Sequence, residues 1–388
     1  MARVVLVGLG HAHLHVASRA AEFRAAGHDL TLIDPGTFWY SSIASGLLGG
    51  RYERGDDVIE ADAFAAGLGI GHVAERAVGL DRTARTVGIE GGGSVPYDLV
   101  SFNVGSVVRP PFPVDPAAAT WSAKPIAKFL DLRAALVDAF AMGREPHVVT
   151  VGGNYSGCEL TCNVAALARA HGGRARITLL CDGDRLLAAE PAGARRAMGR
   201  VLEDYGVDVR LGANAKEVRT DGDRDGSTRG DALNGGSPGI VAVEGAKDVP
   251  FDHAILATGL SASPLMGDLG LSTDPARGLH VTRSLHSPAD PRVFAAGDCA
   301  DVAGRPLPRV GVFGVRAAPV LARNLLAAAA GEPLRRYRPQ RVWFASQNLG
   351  DGTGLATWGP LWWRGRTALA IKDRIDRRFM NYYRSMGV

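Results

Sequence analysis

The chain has 388 residues, too many for one ordinary hydrophobic core, so two domains are expected. With 46% apolar and 22% charged residues it has the balance of a water-soluble globular protein, not of a disordered or fibrous one. Four cysteines at irregular spacing (Cys158, Cys162, Cys181, Cys299), without a CxxC pair, exclude a disulfide framework.

The N-terminal RVVLVGLGHAHLHV reads as a buried parallel strand, a glycine turn and a helix from about His11. The opening residues enter the strand at once, which leaves no room for a signal peptide and makes the cytoplasm the expected compartment. LTLIDP, Leu30 to Pro35, is the next strand. Its terminal acid, Asp34, falls at the distance from Gly8 and Gly10 that a Rossmann unit uses to reach a ribose hydroxyl. His11, His13 and His15 follow the turn. Only His11 and His15 share a helix face, and no acidic or thiol cluster completes a metal set, so no metal site is expected.

A β-rich stretch, Val73 to Val108, and WSAKPIAKF, Trp121 to Phe129, lead to a second copy of the same pattern. VVTVGGNYSGCEL is strand, loop and helix start, and ARITLLCD is the next strand, ending at Asp182. Gly152, Gly153 and Gly157 supply the loop, with Asn154 where the middle glycine belongs. A side chain there is expected to crowd a pyrophosphate, in a turn whose left-handed angles asparagine tolerates. Cys158 and Cys162 are one helical turn apart; Cys158, at a helix start, is a candidate thiolate, and no partner cysteine is evident in the sequence. The polar segment Thr220 to Gly239 reads as a surface loop, and FDHAILATGL and PRVFAAGDCADV each read as a buried strand ending in a small-residue turn.

After these come VGVFGVRAAPVLARNLL, a helix, and FASQNLGDGTGLATWGPLWW, with two short strands expected. IKDRIDRRFMNYY reads as an amphipathic helix. No apolar run reaches the length of a membrane span. Of the formal charge of +4, the segment from Leu361 onward carries seven basic residues against Asp373 and Asp376, and the rest is near neutral. Nucleic acid is therefore not an expected partner. Basic residues after Trp358, Trp362 and Trp363 suit either a solvated helix with packed aromatics or a segment resting on an anionic membrane surface.

The two loops, ATG (Ala257 to Gly259) and FAAGDCA (Phe294 to Ala300) occur in an order that resembles the flavoproteins with two dinucleotide-binding domains, the pyridine nucleotide-disulfide oxidoreductase superfamily. The chain is similar to the branch holding type II NADH dehydrogenases and sulfide:quinone oxidoreductases. GHAHLHV, WYSSIASGLLGGRY, YDLVSFNVGS, SAKPIAKF and IKDRIDRRFM resemble a subfamily also found fused to selenophosphate synthetase. The resemblance implies an α/β fold of two Rossmann-like domains, the second inserted in the first, plus a short C-terminal α+β region. The segments are then 1–118 and 257–330 for FAD, 119–256 for NAD(P)H, and 331–388 for membrane-surface or dimer contact.

It also implies site residues. FAD falls to Gly8, Gly10, His11, Ala12, Asp34, Ser42, Val78, Gly105, Gly297, Asp298, Val312 and Phe313, with His13 in place of a third glycine shifting the helix. NADH falls to Gly152, Gly153, Asn154, Gly157, Asp182 and Gly259, Asp182 being the acid that favours NADH over NADPH. Cys158, Glu159 and Lys124 are the catalytic candidates, with Arg316 a second cation for the flavin. Arg316 and Ala317 stand where type II NADH dehydrogenases carry paired glutamines. The expected activity is an FAD-dependent transfer from NADH to a quinone-like or other small acceptor. Alternatives are a sulfide, thiol or selenium donor acting through a cysteine, and a non-catalytic flavin-binding accessory or sensor protein. A monomer or homodimer, cytoplasmic or peripheral on the inner face of the membrane, completes the expectation.

Overall fold

The computed structural model describes residues 1–221 and 236–387, so most of the loop expected from Thr220 to Gly239 lies outside the described residues. Arg3–Val7 (β1) carries Val4, Val5, Leu6 and Val7 fully inside, as a central parallel strand covered on both faces requires. It leads into α1 (His11–Ala17), β2 (Asp29–Ile33), α2 (Ala44–Leu48), β3 (Gly71–Val73) and β4 (Leu99–Phe102). The chain then crosses to β5 (Thr120–Ser122), β6 (His147–Val151), α3 (Tyr155–Ala170), β7 (Arg176–Cys181), β8 (Asp208–Leu211) and β9 (His253–Leu256). It returns through β10 (Val293–Ala295) and α4 (Gly311–Ala330). It ends in β11 (Phe344–Asn348), β12 (Gly354–Trp358), β13 (Leu361–Gly365) and α5 (Arg366–Arg384).

These strands form two five-stranded parallel sheets, β10-β4-β1-β2-β3 and β5-β9-β6-β7-β8. β10 comes after the whole second sheet in sequence yet pairs with β4 of the first. The second Rossmann-like unit is therefore inserted in the first. In both sheets the strand that feeds a glycine loop lies at the centre, where its C-terminal end opens beside the ends of two neighbours, the usual place for a ligand in such folds.

The C-terminal region holds three antiparallel strands, one more than the sequence suggests, because LWWRG pairs back on β12. α4 also departs from expectation: by length and composition alone it could cross a membrane. In this fold its Phe313, Ala317, Ala318, Leu321 and Leu325 are core residues.

α5 is seated on the first unit. Its last arginine, Arg384, donates to the Val58 carbonyl (3.1 Å) and to that of Gly55. Between them Asp57 is fully buried, and neither carboxylate oxygen has a hydrogen-bond partner among the described residues. Burial pushes its pKa up to about 6, with its own backbone N–H and then nearby Arg384 opposing. A folded pKa above the unfolded value means that the charged form penalises the fold; the penalty is absent near pH 4 and fully present above pH 6. Asp57→Asn is expected to stabilise the protein by about 1–2 kcal/mol at pH 8, with the gain vanishing toward pH 4. Thermal melts at the two pH values check this.

Candidate functional site

Both glycine loops are built by the same contacts. Gly8 takes φ +85°, and its N–H donates to the Ile33 carbonyl at 2.8 Å. Gly152 takes φ +124° and donates to the Leu180 carbonyl at 2.8 Å. A Cβ on Gly8 would lie 2.9 Å from the Asn103 carbonyl oxygen, and one on Gly152 would lie 2.4 Å from that of Ala257. Only glycine allows the strand end to come so close.

In the first loop Asn103, at the end of β4, caps α1. Its Oδ1 accepts from the Ala12 (2.8 Å) and His13 (3.2 Å) N–H groups, and its Nδ2 donates to the Ala296 carbonyl (2.7 Å). This amide is why position 10 is glycine, since a Cβ there would sit 2.4 Å from Asn103 Oδ1. In the second loop the residue matching Asn103 is Ala257, since each donates its N–H to the last residue of the central strand, Val7 or Val151. Asn154 restores the missing amide. Its Oδ1 accepts from the Gly157 N–H (3.1 Å), the counterpart of His13, and its Nδ2 donates to the Ala257 carbonyl (2.6 Å). The glycine–asparagine pair of the first loop has thus become an asparagine–alanine pair in the second. Asn154 is an N-cap with extended angles (φ −84°, ψ −174°), not a left-handed residue. Its amide is held against the strand end and the helix start, as that of Asn103 is, so the turn needs no left-handed angles from the asparagine.

His13 stands at the third glycine position and is buried. Its Nδ1 donates to the Gly8 carbonyl (2.6 Å), which can only accept, so Nε2 accepts from Ser101 Oγ (2.8 Å). Burial lowers its pKa to about 4, which keeps the ring neutral.

Around the α1 N-terminus the structure brings together Gly8, Gly10, His11, Ala12, Asp34, Gly105, Gly297, Asp298 and the start of α4 at Val312 and Phe313. Asp34 accepts from the Leu9 N–H (2.7 Å) and the Gly36 N–H (2.9 Å). Ser106 Oγ donates to Asp298 Oδ2 at 2.6 Å, and Lys124 Nζ lies 2.6 Å from Ser106 Oγ and 3.3 Å from Asp298 Oδ2. His11 is held in a ring cluster with Phe38, Tyr40 and Phe379 at centroid distances of 5.1–5.6 Å. Burial lowers its pKa to about 4, with Asp298 opposing. No group of His, Cys, Asp or Glu among the described residues could hold a metal ion.

Other candidates lie elsewhere. Val78 is exposed on a separate antiparallel sheet of Ala77–Asp81, Thr86–Ile89 and Ser94–Pro96. Arg316 is exposed on the outer side of α4. Ser42 belongs to a buried cluster seated on α5: Tyr40 Oη (2.8 Å) and Ser42 Oγ (2.9 Å) donate to Asp376 Oδ1, and Lys372 Nζ donates to Asp376 Oδ2 (2.8 Å) and to the Ser42 carbonyl (2.5 Å). Glu159 on α3 faces the same lysine. Burial raises its pKa, opposed first by Lys372 and then by the Asn348 N–H, which donates to Oε1 at 2.7 Å. Sequence reasoning missed Lys372 and Asp376, although their i, i+4 spacing was a readable signal. It also missed the amide of Asn103, for which no motif calls.

Two expectations for the second loop are corrected. Cys158 is fully buried, and burial drives its thiol pKa up, not down, so it is no thiolate. Nor is it without a neighbour: Cys158 Sγ lies 3.6 Å from the Gly153 carbonyl, and a Cβ on Gly153 would lie 2.4 Å from Cys181 Sγ, so the two cysteines flank one loop residue. Asp182 is exposed one position beyond the strand end. The residue at the place of Asp34 is Cys181, because Val7 pairs with Ile33 and Val151 with Leu180. Gly259 follows β9 in the open, with nothing within 4 Å of an added Cβ.

A family model described as pyridine nucleotide-disulphide oxidoreductase matches residues 2–323. The chain is 28% identical over 360 residues to a probable ferredoxin reductase, CtmF, of Castellaniella defragrans, covering 89% of this chain and 80% of that one. It is 27% identical to a nitric oxide reductase FlRd-NAD(+) reductase of Vibrio vulnificus over 49% of this chain and 44% of that one, so it spans less than half of that relative. The sulfide:quinone oxidoreductase of Aquifex aeolicus shares the fold, with a TM-score of 0.82 at 15% identity over 100% of this chain and 92% of that one.

The amide exchange has a measurable consequence. Asn154→Ala is expected to cost about 1 kcal/mol of stability through the lost cap. Asn154→Gly combined with Ala257→Asn is expected to restore the wild-type value. Asn154→Gly alone leaves NADH affinity no higher than wild type. Denaturant melts and equilibrium binding check these outcomes.

Proposed function

Because the chain belongs to the pyridine nucleotide-disulphide oxidoreductase family, we propose that it is an FAD-dependent enzyme in which NADH on the second loop reduces a flavin held by the first. Electrons then pass to a quinone-like or other small acceptor. The observation that carries this reading is the shared construction of the two loops, each ending in a capped helix start beside a close strand-end carbonyl. A helix N-terminus with its N–H groups held in place suits a pyrophosphate.

The first loop fits FAD. Gly8 and Gly10 let the α1 start pack against Asn103, which holds the helix N-terminus where a pyrophosphate would bind, and Asp34 stands at the strand end, where it would accept from a ribose hydroxyl. FAD, when bound, supplies a redox centre that accepts a hydride and gives up electrons one or two at a time. The chain supports that chemistry with fixed charge. Asp298, oriented by Ser106 and Lys124, would accept from hydroxyls of the ribityl chain, and Lys124 would offer a cation that favours negative charge nearby. Glu159 and Lys372 are the acid and the cation at the junction of the two units, and α5 brings the lysine there. A donor thiol acting through Cys158 is disfavoured by its burial.

Anaerobic NADH is expected to bleach the oxidised flavin band of the FAD-loaded protein, and Cys158→Ser to leave that bleaching intact. Bleaching by sulfide or a thiol but not by NADH would replace the proposed donor.

We propose that the protein rests on a membrane surface through α5. Ile371, Ile375 and Tyr382 are 41%, 49% and 51% exposed on one helical face, with Arg374 and Arg378 between them. Trp358, Leu361 and Trp362 are exposed on the neighbouring hairpin. Co-sedimentation with vesicles rich in anionic lipid is expected, lost in Ile371→Glu/Ile375→Glu; equal binding by the variant overturns this placement.

A further inference from the structure

The end of the second strand carries the chain's own departure from the first unit. The residue after the last paired position of β2 is Asp34, and the residue after the last paired position of β7 on β6 is Cys181. The match extends to their donors. Asp34 accepts from the N–H groups of Leu9 and Gly36. The Cys181 sulfur faces those of Gly153 and Gly183, which stand at the same offsets from loop and strand end. Gly153, in the place of Leu9, makes room for the sulfur, since a Cβ there would lie 2.4 Å from Sγ. The thiol donates in turn to the Arg185 carbonyl at 3.5 Å.

The chemistry of the two side chains differs where a dinucleotide's adenosine ribose lies. A carboxylate accepts from both ribose hydroxyls and repels a 2′-phosphate. A neutral thiol is a weak acceptor and carries no charge, and burial keeps Cys181 in that form. The remaining acids do not substitute. Asp184 is paired with Arg185 at 2.5 Å. Asp182 is exposed and off the strand end, where salt screens its field within about 10 Å.

We propose that Cys181 is the residue facing the adenosine ribose of a nicotinamide dinucleotide on the second loop, and that it leaves the 2′ position unread, so that NAD(H) and NADP(H) bind about equally well. This rests on the reading of the second loop as the donor site and adds its specificity. The pyrophosphate end holds the ligand through the capped α3 N-terminus, and the adenosine end adds little.

The test is equilibrium binding of NAD+ and NADP+ to the FAD-loaded protein by calorimetry, which needs no turnover. The wild-type dissociation constants are expected to lie within about tenfold of each other, as loss of the carboxylate contact implies. Cys181→Asp is expected to tighten NAD+ and weaken NADP+ by about tenfold each, with thermal melts reporting whether the variant is folded. Asp182→Asn, at an exposed site, is expected to change the ratio by less than about threefold. A wild-type preference beyond tenfold overturns the inference, as does a tenfold shift in Asp182→Asn or a folded Cys181→Asp that leaves both constants unchanged. Binding of neither dinucleotide at millimolar concentration overturns the donor-site reading itself, and this inference with it.

Discussion

The geometry of both loops depends on one amide placed between a strand end and the first turn of a helix. A helix start leaves N–H groups without intrahelical partners, and in a buried loop they need acceptors. Asn103 supplies the acceptor in the first unit from the neighbouring strand, and Asn154 supplies it in the second from the loop itself. In both cases the same amide ties the helix to a strand-end carbonyl, Ala296 or Ala257. The loop glycines follow from this. Gly10 is glycine because the Asn103 amide fills the space beside it, and Ala257 can be small because Asn154 has taken that role.

The duplicated architecture was legible in the sequence because strand, glycine turn, helix and second strand recur with the apolar runs that central parallel strands require. The role of Asn154 was not legible, since an amide at a middle-glycine position reads as an obstruction until its partner Ala257 is seen. The counterpart of Asp34 was misread by one residue. An acid near a strand end draws attention, and Asp182 lies next to that counterpart. The signal was present, however: LTLID from Leu30 to Asp34 aligns with ITLLC from Ile177 to Cys181, which sets Thr31 against Thr178 and Asp34 against Cys181. Parallel pairing then enforces that register, since each strand hydrogen-bonds to its loop strand in the same frame. Cys158 was misread for another reason. A helix N-terminus lowers a thiol pKa only where solvent or a counter-charge stabilises the thiolate, and full burial outweighs it.

The C-terminal helix α5 does more than cover a surface. Lys372 and Asp376 are buried, and a buried ion pair is stable only when both partners are satisfied. Here the lysine serves Asp376 and Ser42 directly and lowers the cost of burying Glu159 on α3. Tyr40 and Phe379 stack at 4.8 Å and join α5 to the rings around His11. One helix from outside the duplicated fold thus completes the charge balance at the junction of both units. Its loss would leave Glu159 on α3 without that cation.

The third glycine position shows how one local problem admits two solutions in a single chain. In the second unit a Cβ on Gly157 would lie 1.8 Å from the Gly152 carbonyl oxygen, so no side chain fits. In the first unit the equivalent Gly8 carbonyl accepts a hydrogen bond from the His13 ring at 2.6 Å. The same oxygen that excludes a side chain in one copy anchors one in the other. The two helices differ accordingly: α3 runs for 16 residues from its cap, whereas α1 stops after 7 and the chain resumes as a separate helix at Ala20. With His13 bound to Gly8 and Ser101, the start of α1 is fixed by side chains from β4, not by helix-on-strand contact. The helix start of the first loop is thereby tied to the neighbouring strand, whereas that of the second is capped from within the loop itself.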